Sequence, residues 1–168
     1  MLTSSSNKFG KLPITRIERL VYQWTERNGL LLLRLAMGIV FVWFGALKPF
    51  GLSPASDLVA KTTFWIPIED FCCVLGYWEV LIGFCFLCKP LLRLGLIMLA
   101  IHIPGTLLPM VMLPEEVYVS FPFVLTLEGQ YIVKNLVLIS AALVIGGKIY
   151  RAEYMTPEAT REPLREAA

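Results

Sequence analysis

The sequence is poor in charged residues. Of its 168 residues, only 17% are Asp, Glu, Lys or Arg, whereas a soluble domain of this length usually carries about a quarter. Apolar residues make up 57% of the chain, and its mean hydropathy is +0.68. These values disfavour a water-soluble globule. They also exclude a disordered chain, which needs few apolar residues and many charges.

The sequence also lacks the features of a nucleic-acid-binding protein and of several common enzyme sites. Its net charge is only +2 and it has no dense basic block, which excludes a chain built to bind nucleic acid. No P-loop, G-x-S-x-G, H-E-x-x-H or dinucleotide-binding fingerprint occurs. A single histidine does not make a zinc or haem site, so no metal site is predicted.

The apolar residues are concentrated in four stretches, each near the length of about 20 residues that a membrane-spanning helix needs. These stretches are residues 30–47, 71–88, 94–113 and 131–147. The uncharged part of the fourth is short, so Lys134 is expected at or near an interface, with its side chain reaching toward water. The pattern predicts an all-α, integral membrane four-helix bundle with amphipathic interfacial helices.

Charge signs alternate between the segments that flank the spans. Basic residues dominate before the first span, between the second and third, and after the fourth. Acidic residues are concentrated in the other two connections. The positive-inside rule then predicts that both termini are cytoplasmic, and an even number of spans agrees with this. We expect a cytoplasmic tail and amphipathic helix at residues 1–29, a four-span membrane domain at 30–147 and a cytoplasmic tail at 148–168.

Three shorter segments flank the predicted spans. The spacing of Thr15 and Glu18 is that of a capping box, which predicts a helix start before the first span and an amphipathic helix on the inner membrane face. Ser53 and Pro54 predict the start of a short external helix. Residues 117–127 are apolar but too short to span, so we expect an interfacial or re-entrant piece packed against protein.

Glu79 and His102 are the ionisable residues deepest in the predicted spans. Glu79 lies roughly 12 Å from the outer end of its span, at 1.5 Å per residue, and His102 lies at a comparable depth. A carboxylate there must be neutralised, paired or exposed to water inside the bundle. Pro104 follows His102 and can kink the helix. The two residues are candidate catalytic groups that exchange protons with a quinone headgroup. Alternatively, both serve the structure, as a hydrogen bond between helices and a buried histidine.

Cysteines and tryptophans in the spans are further candidates. Cys85 and Cys88 form a C-x-x-C pair at the inner end of the second span. Such a pair is either a redox-active dithiol or two small apolar residues in buried positions. Trp43 and Trp78 lie deeper than the other aromatic residues and are candidates for lining a ligand cavity.

Four glycines are spaced for close helix packing. Gly38 and Gly45 are seven residues apart in the first span, and Gly76 and Gly83 have the same spacing in the second. A spacing of seven places both members of a pair on one helix face. Small residues on one face let helices approach closely in lipid, so packing is the expected role of these glycines.

Two motifs carry a family resemblance. The sequence FVWFGALK at residues 41–48, followed by GLSPA at 51–55, resembles the first-span signature of DoxX-like membrane proteins, notably the YkgB-type branch. The sequence LEGQYIVKNL at residues 127–136 resembles the opening of their last span. The resemblance covers roughly residues 30–147 and implies a four-helix bundle in the bacterial inner membrane.

The resemblance also suggests candidate ligand-binding positions, namely Lys48, Glu128, Lys134 and Asn135. The structural alternatives are that the two lysines anchor helices at the outer interface and that Glu128 pairs with Lys134 to fix the last helix. Some DoxX-like relatives are linked to quinone-coupled sulfur oxidation and others to oxidative-stress responses. No residue-by-residue match supports a sulfur-oxidising site in this chain, so that activity is not carried over.

Three functions are compatible with these features. The first is a redox- or stress-associated membrane subunit that binds quinone or lipid within the bundle; if it is an enzyme, it is a quinone-linked oxidoreductase subunit with quinone as its cofactor. The second is a small proton, ion or solute transporter. The third is a non-catalytic scaffold subunit of a membrane complex. The expected partners are the lipid bilayer and either other membrane or redox subunits or further copies of the chain.

Overall fold

The computed structural model describes residues 15–65, 67–151 and 154. Two compact units are distinguished, Met1–Leu32 and Leu33–Ala168. Most of the predicted tails, residues 1–14, 152–153 and 155–168, lies outside the described residues. The fold below concerns mainly the second unit, which contains the candidate functional residues.

The described residues are mostly helical. In chain order the elements are α1 (Arg16–Leu47), α2 (Ser56–Thr62), α3 (Ile68–Leu87), α4 (Leu92–Leu107), α5 (Pro109–Met112), α6 (Pro114–Val117), β1 (Tyr118–Ser120), β2 (Val124–Leu125) and α7 (Leu127–Tyr150). A single 3-10 turn, Lys89–Leu91, joins α3 to α4. Four stretches, Arg16–Leu47, Asp70–Leu87, Lys89–Met112 and Leu127–Tyr150, are long and apolar enough to cross a membrane. The predicted number of candidate spans is therefore confirmed.

The predicted capping box is present at the start of α1. The backbone N–H of Thr15 donates to Glu18 Oε2 at 2.7 Å, and the backbone N–H of Glu18 donates to Thr15 Oγ1 at 3.2 Å. These two bonds satisfy amide groups that a helix start leaves without partners. The helix then continues to Leu47 without a break, although the sequence predicted an amphipathic helix separate from the first span. No proline interrupts residues 16–47, so no residue forces a turn there.

Close contact between α1 and α3 rests on the four glycines. A Cβ atom on Gly38 would lie 3.0 Å from the carbonyl oxygen of Gly83, and one on Gly45 would lie 2.8 Å from that of Gly76. Conversely, a Cβ on Gly83 would lie 2.6 Å from the carbonyl oxygen of Gly38, and one on Gly76 would lie 2.7 Å from that of Gly45. Residue numbers rise along α1 as they fall along α3, so the two helices run antiparallel. The packing role predicted for these glycines is confirmed.

The remaining long helices pack in order. At the contact between α3 and α4, a Cβ on Gly95 would lie 2.9 Å from that of Cys85. At the contact between α4 and α7, a Cβ on Gly146 would lie 3.4 Å from Leu96. Fully buried side chains from α3, α4 and α7 form the core of this part, with Ile82, Leu99 and Ile145 among the largest. Helix α3 therefore contacts both α1 and α4, and α4 contacts both α3 and α7.

The third predicted span is interrupted. The sequence predicted one helix over residues 94–113, but α4 ends at Leu107 and α5 starts at Pro109. Pro104 lies inside α4 and lacks the N–H group that would bond to the carbonyl of Ala100. Because two prolines occur within six residues, a single regular helix over the whole stretch would lose two backbone hydrogen bonds.

Within residues 117–127, the strands Tyr118–Ser120 and Val124–Leu125 form a β-hairpin, which an all-α prediction did not include. Strands β1 and β2 pair antiparallel, with Tyr118 opposite Leu125. The piece was also predicted to pack against protein, but Phe121 and Phe123 at its tip are 75% and 89% exposed. Pro122 prevents a helix through this short segment, and its aromatic and β-branched neighbours favour strand pairing. Only the base of the hairpin is buried, at Val117.

Two helices begin at positions that differ from the prediction. Helix α2 starts at Ser56 and not directly after Ser53, whose hydroxyl instead accepts a bond from the backbone of Ala55 at 3.4 Å. Helix α7 starts at Leu127, four residues before the predicted start of the fourth span, because the hydroxyl of Thr126 accepts from the backbone N–H of Gly129 at 3.1 Å. Such a cap stabilises a helix start that hydropathy alone does not reveal.

Candidate functional site

Three ionisable side chains from separate parts of the bundle meet near the C-terminal end of α1. Lys48 directly follows α1, Glu79 lies within α3 and His102 lies in the second half of α4. Lys48 Nζ donates to Glu79 Oε2 at 2.5 Å, and His102 Nε2 lies 3.4 Å from Glu79 Oε1. One carboxylate therefore has an ammonium group on one oxygen and an imidazole on the other. We call Lys48, Glu79 and His102 the buried triad.

All three members of the buried triad are withdrawn from the surface. Lys48 is 7% exposed, Glu79 is 9% exposed and His102 is 8% exposed. Removing a charge from water costs several kcal/mol, and a well-placed opposite charge offsets part of that cost. Glu79 therefore lies in one of the arrangements that its depth requires, which is pairing. The structure also brings Glu79 and His102 together, as their similar depth on adjacent spans predicted.

The pairing of Lys48 with Glu79 was missed from the sequence. Lys48 was considered an interface anchor or, by family resemblance, a ligand-binding residue. The signal that could have revealed the pair is the glycine spacing, because an antiparallel register that matches Gly45 with Gly76 brings the end of α1 beside the first half of α3. A long lysine side chain following α1 can then reach a carboxylate on α3.

The glycines provide the space for the ion pair. A Cβ on Gly45 would lie 2.8 Å from the Cβ of Glu79, and a Cβ on Gly76 would lie 2.9 Å from the Cβ of Lys48. Both positions also face backbone atoms of the neighbouring helix at 2.7–2.8 Å. Neither position has room for a side chain while the two charged residues keep their places. The packing motif and the buried triad are thus one structural unit.

His102 contacts an aromatic ring as well as the carboxylate. Its imidazole lies edge-on to the ring of Phe41, with 6.0 Å between ring centroids and an interplanar angle of 75°. Phe41 is itself buried on α1. The imidazole is therefore positioned by contacts with two other helices, α1 through Phe41 and α3 through Glu79.

The ammonium group of Lys48 retains unused hydrogen-bonding capacity. It has three N–H donors, and among the described residues Glu79 is the one acceptor that it reaches. Two donors are left for other acceptor atoms. The buried triad can thus donate hydrogen bonds to a polar group entering the bundle, and its carboxylate and imidazole can exchange protons.

The tryptophan candidates do not join the buried triad. Trp43 is 65% exposed on α1, and Trp78 is half-buried on α3 beside Glu79 in the chain. Trp43 lines a shallow apolar groove along α1 that extends to Leu87 of α3. It therefore contributes to the outer surface of the bundle and not to an internal cavity at the triad.

Among the described contacts, the candidate residues on α7 do not join the buried triad. Lys134 is exposed, and its ammonium group lies 4.6 Å from the centre of the Tyr131 ring. Glu128 is exposed and Asn135 is half-buried. Within the part of the chain that the structure describes, Glu128 and Lys134 do not form the ion pair that was considered. The ammonium group of Lys134 lies instead over the ring of Tyr131, three residues earlier in the same helix.

The connection between α2 and α6 has an exposed ion pair. Lys61 Nζ donates to Glu116 Oε1 at 2.5 Å. The hydrogen bond to Glu116 raises the pKa of the Lys61 ammonium above its ordinary value, and the nearby charges of Asp57 and Glu128 act in the same direction. Glu128 therefore belongs to the electrostatic surroundings of Lys61.

The C-x-x-C cysteines are free thiols in different surroundings. Cys85 is fully buried against Gly95 of α4, whereas Cys88 is half-buried at the C-terminal cap of α3. The burial of Cys85 agrees with the expectation for a small apolar residue at a helix contact.

Comparisons with family models, with curated proteins and with solved structures found no match to this chain. The resemblance to DoxX-like proteins therefore stays a prediction from the two motifs. The function has to be argued from the geometry of the chain itself.

Proposed function

We propose that this chain is a DoxX-like protein of the bacterial inner membrane, with both termini in the cytoplasm, and that the buried triad binds the headgroup of a quinone. The observation that supports this proposal is the meeting of Lys48, Glu79 and His102 inside a bundle whose long helices are apolar enough to cross a membrane. Ionisable groups in such positions are costly, and they commonly mark ligand or proton pathways.

The donor set of the triad fits a quinone headgroup. Quinone carbonyl oxygens accept hydrogen bonds, and Lys48 has two N–H donors beyond the one that Glu79 receives. His102 and Glu79 are the groups that would deliver or accept protons beside the ligand. A bound quinone would supply two-electron redox chemistry coupled to two protons. Lys48 would hold a carbonyl oxygen and Glu79 would keep the imidazole in position.

Electron supply distinguishes a subunit from a complete enzyme. In this proposal the electrons come from another membrane or redox subunit, and this chain provides binding and proton exchange. A chain that binds quinone and exchanges protons while another subunit supplies electrons would have a redox- or stress-associated role. A lipid headgroup is the second ligand that the same donors could hold.

The proposal is tested by quinone retention and binding. Protein purified from native membranes in mild detergent is extracted for quinones and then titrated with a short-chain quinone. We expect Glu79→Gln and His102→Ala to weaken binding by roughly tenfold or more, since a hydrogen bond to a charged group is worth about 1.5–3 kcal/mol. Lys148→Ala, at an exposed position that is not a candidate ligand-binding residue, is the control and should bind as the wild type does. Quinone-free wild-type protein that also fails to bind added quinone would contradict the proposal.

A proton relay is the second candidate. It is favoured by the position of His102, two residues before Pro104 in a candidate span that is interrupted at Leu107. Broken helices in membranes are tolerated where they line water-filled cavities or pack against protein. Proteoliposomes with an internal pH-sensitive dye should then show proton flux that Glu79→Gln removes. If neither quinone binding nor flux is observed, the triad is a structural ion pair and the chain is a scaffold subunit.

A further inference from the structure

The end of the bundle opposite the buried triad is rich in basic side chains. They come from α1, from the turn into α4, from α4 itself and from the end of α7: Arg34, Lys89, Arg93, Lys148 and Arg151. We call these five residues the basic end. The contact of Arg93 Nη2 with the Tyr154 hydroxyl at 3.4 Å places the end of α7 next to the start of α4. The charges therefore gather at one end of the helices in the second unit.

Carboxylates are missing from the described segments that form the basic end, although Glu153 follows Arg151 by two positions in the sequence. No Asp or Glu occurs in residues 33–41, 83–97 or 145–151. The acidic residues between positions 33 and 151 fall instead at the other end of the bundle or, for Glu79, within the triad. A surface of this kind attracts anions, and near a membrane the most abundant anions are lipid headgroups.

Arg34 is a member of the basic end with a buried hydrogen-bond donor that has no partner among the described residues. Its Nη2 donates to the carbonyl oxygens of Phe86 and Leu87, each at 3.4 Å, which are long hydrogen bonds. Its Nε is buried and has no hydrogen-bond partner among the described residues. A guanidinium group has five N–H donors, and leaving buried donors unpaired is unfavourable. Arg34 therefore needs an acceptor that the described residues do not provide.

A groove for an acyl chain begins beside Arg34. The groove has a volume of about 390 Å³ and is lined almost entirely by apolar atoms of Ile39, Val42, Trp43, Ala46, Leu47 and Leu87. Leu87 connects the two features, because its side chain lines the groove while its carbonyl oxygen accepts from Arg34. Lys89 follows two residues later in the chain and is exposed. A positive corner and an apolar groove are thus continuous.

We propose that this corner binds one anionic phospholipid, with its phosphate on Arg34 and Lys89 and an acyl chain in the groove along α1. The guanidinium fork matches a phosphate group and can bond two of its oxygens. The apolar groove favours a lipid over a free phosphate ion, which has no use for it. This site is separate from the buried triad and does not depend on the quinone proposal.

Binding is tested by native mass spectrometry of the detergent-solubilised full chain with added phosphatidylglycerol or phosphatidylcholine. We expect the wild type to bind phosphatidylglycerol at least tenfold more tightly. Arg34→Gln should remove that preference, and Lys89→Gln, at an exposed turn, should reduce it without a folding risk. Lys148→Gln is the matched control, because it removes the same charge from the same end outside the corner. Equal binding of the two lipids, or equal losses in all three variants, would overturn the proposal.

The groove is tested separately by fluorescence. In vesicles, phosphatidylglycerol with brominated acyl chains should quench Trp43 more than brominated phosphatidylcholine does, with Trp43→Phe giving the contribution of the other tryptophans. Arg34→Gln should remove the difference between the lipids. Inorganic phosphate at millimolar concentration should leave the quenching unchanged. If it displaces the brominated lipid, the corner binds free phosphate and the assignment to a lipid is wrong.

Discussion

Glu79 is a buried carboxylate whose stability in the bundle depends on the charges beside it. Its carboxylate is bonded by Lys48 and lies beside His102, and all three side chains are buried. Loss of one member of the ion pair leaves the other as an uncompensated charge in an apolar interior. Loss of both members removes the charge and the cost of burying it together. The two kinds of variant should therefore behave very differently.

We predict that Lys48→Met and Glu79→Gln each lower the free energy of unfolding by about 3–5 kcal/mol. The double variant should recover a large part of that loss. Unfolding of the detergent-solubilised protein in a denaturing detergent series measures all three, and a double-mutant cycle gives the coupling. Lys134→Met, at an exposed position, should change stability by no more than about 0.5 kcal/mol. Additive losses in the double variant would show that the pair is not coupled.

The exposed ion pair of Lys61 and Glu116 should stabilise the folded chain in a pH-dependent way. Because the hydrogen bond raises the pKa of Lys61 in the folded chain, its contribution is fully present below the pKa of a free lysine, about 10.4. It is lost as the pH rises through the higher folded value. The midpoint difference between wild type and Lys61→Met should therefore be constant from pH 7 to 9 and shrink above pH 11. A difference that grows at alkaline pH would contradict this sign.

At the scale of elements, the contact of α1 with α3 decides where the charged residues meet. Gly45 and Gly76 face each other's helix backbones as well as the side chains of Glu79 and Lys48. A methyl group at either position forces the helices apart. The same change therefore acts on packing and on the ion pair.

We predict that Gly45→Ala and Gly76→Ala each destabilise the protein by about 2 kcal/mol or more, since overpacking typically costs 1–3 kcal/mol before any loss at the ion pair. Gly147→Ala is the matched control, because a Cβ there meets no atom within 4 Å. It should leave the unfolding midpoint unchanged or raise it. The three variants are compared by thermal unfolding in one detergent. Equal midpoints would mean that the two helices separate easily.

At the scale of the whole molecule, the sorting of charge predicts orientation. Basic residues gather at one end of the bundle, and the acidic connections lie at the other. In the proposed topology the basic end faces the cytoplasm.

We predict that a cysteine at Ser53 is labelled by a membrane-impermeant maleimide in intact cells, whereas a cysteine at Lys148 is labelled only after the membrane is opened. The background is a chain in which Cys72, Cys73, Cys85 and Cys88 are replaced by Ala or Ser. Labelling of both positions after permeabilisation is the control for reactivity. The opposite pattern would reverse the orientation, and labelling of both in intact cells would exclude four complete spans.

Much of the fold could be read from hydropathy and local signals. The four candidate spans, the capping box at Thr15 and the glycine faces follow from composition and spacing, which act over a few residues. Hydropathy missed the end of α4 at Leu107 and the start of α7 at Leu127, although the sequence indicated a kink at Pro104 and a family motif that opens at Leu127. They depend on two closely spaced prolines and on the hydroxyl cap of Thr126, and hydropathy is insensitive to both. The hairpin was missed because Pro122 lies in a segment too short for any periodic pattern.

By itself, the sequence determined that long apolar helices carry a few ionisable residues, because membrane-length apolar runs and an isolated Glu or His are properties of single segments. It also indicated that Glu79 needs a partner. Tertiary structure decided which partner it has. The glycine contacts set the register of α1 against α3, and that register brings Lys48 to Glu79 while α4 supplies His102. Pairing between residues 31 and 23 positions apart depends on how helices pack, which no local pattern contains.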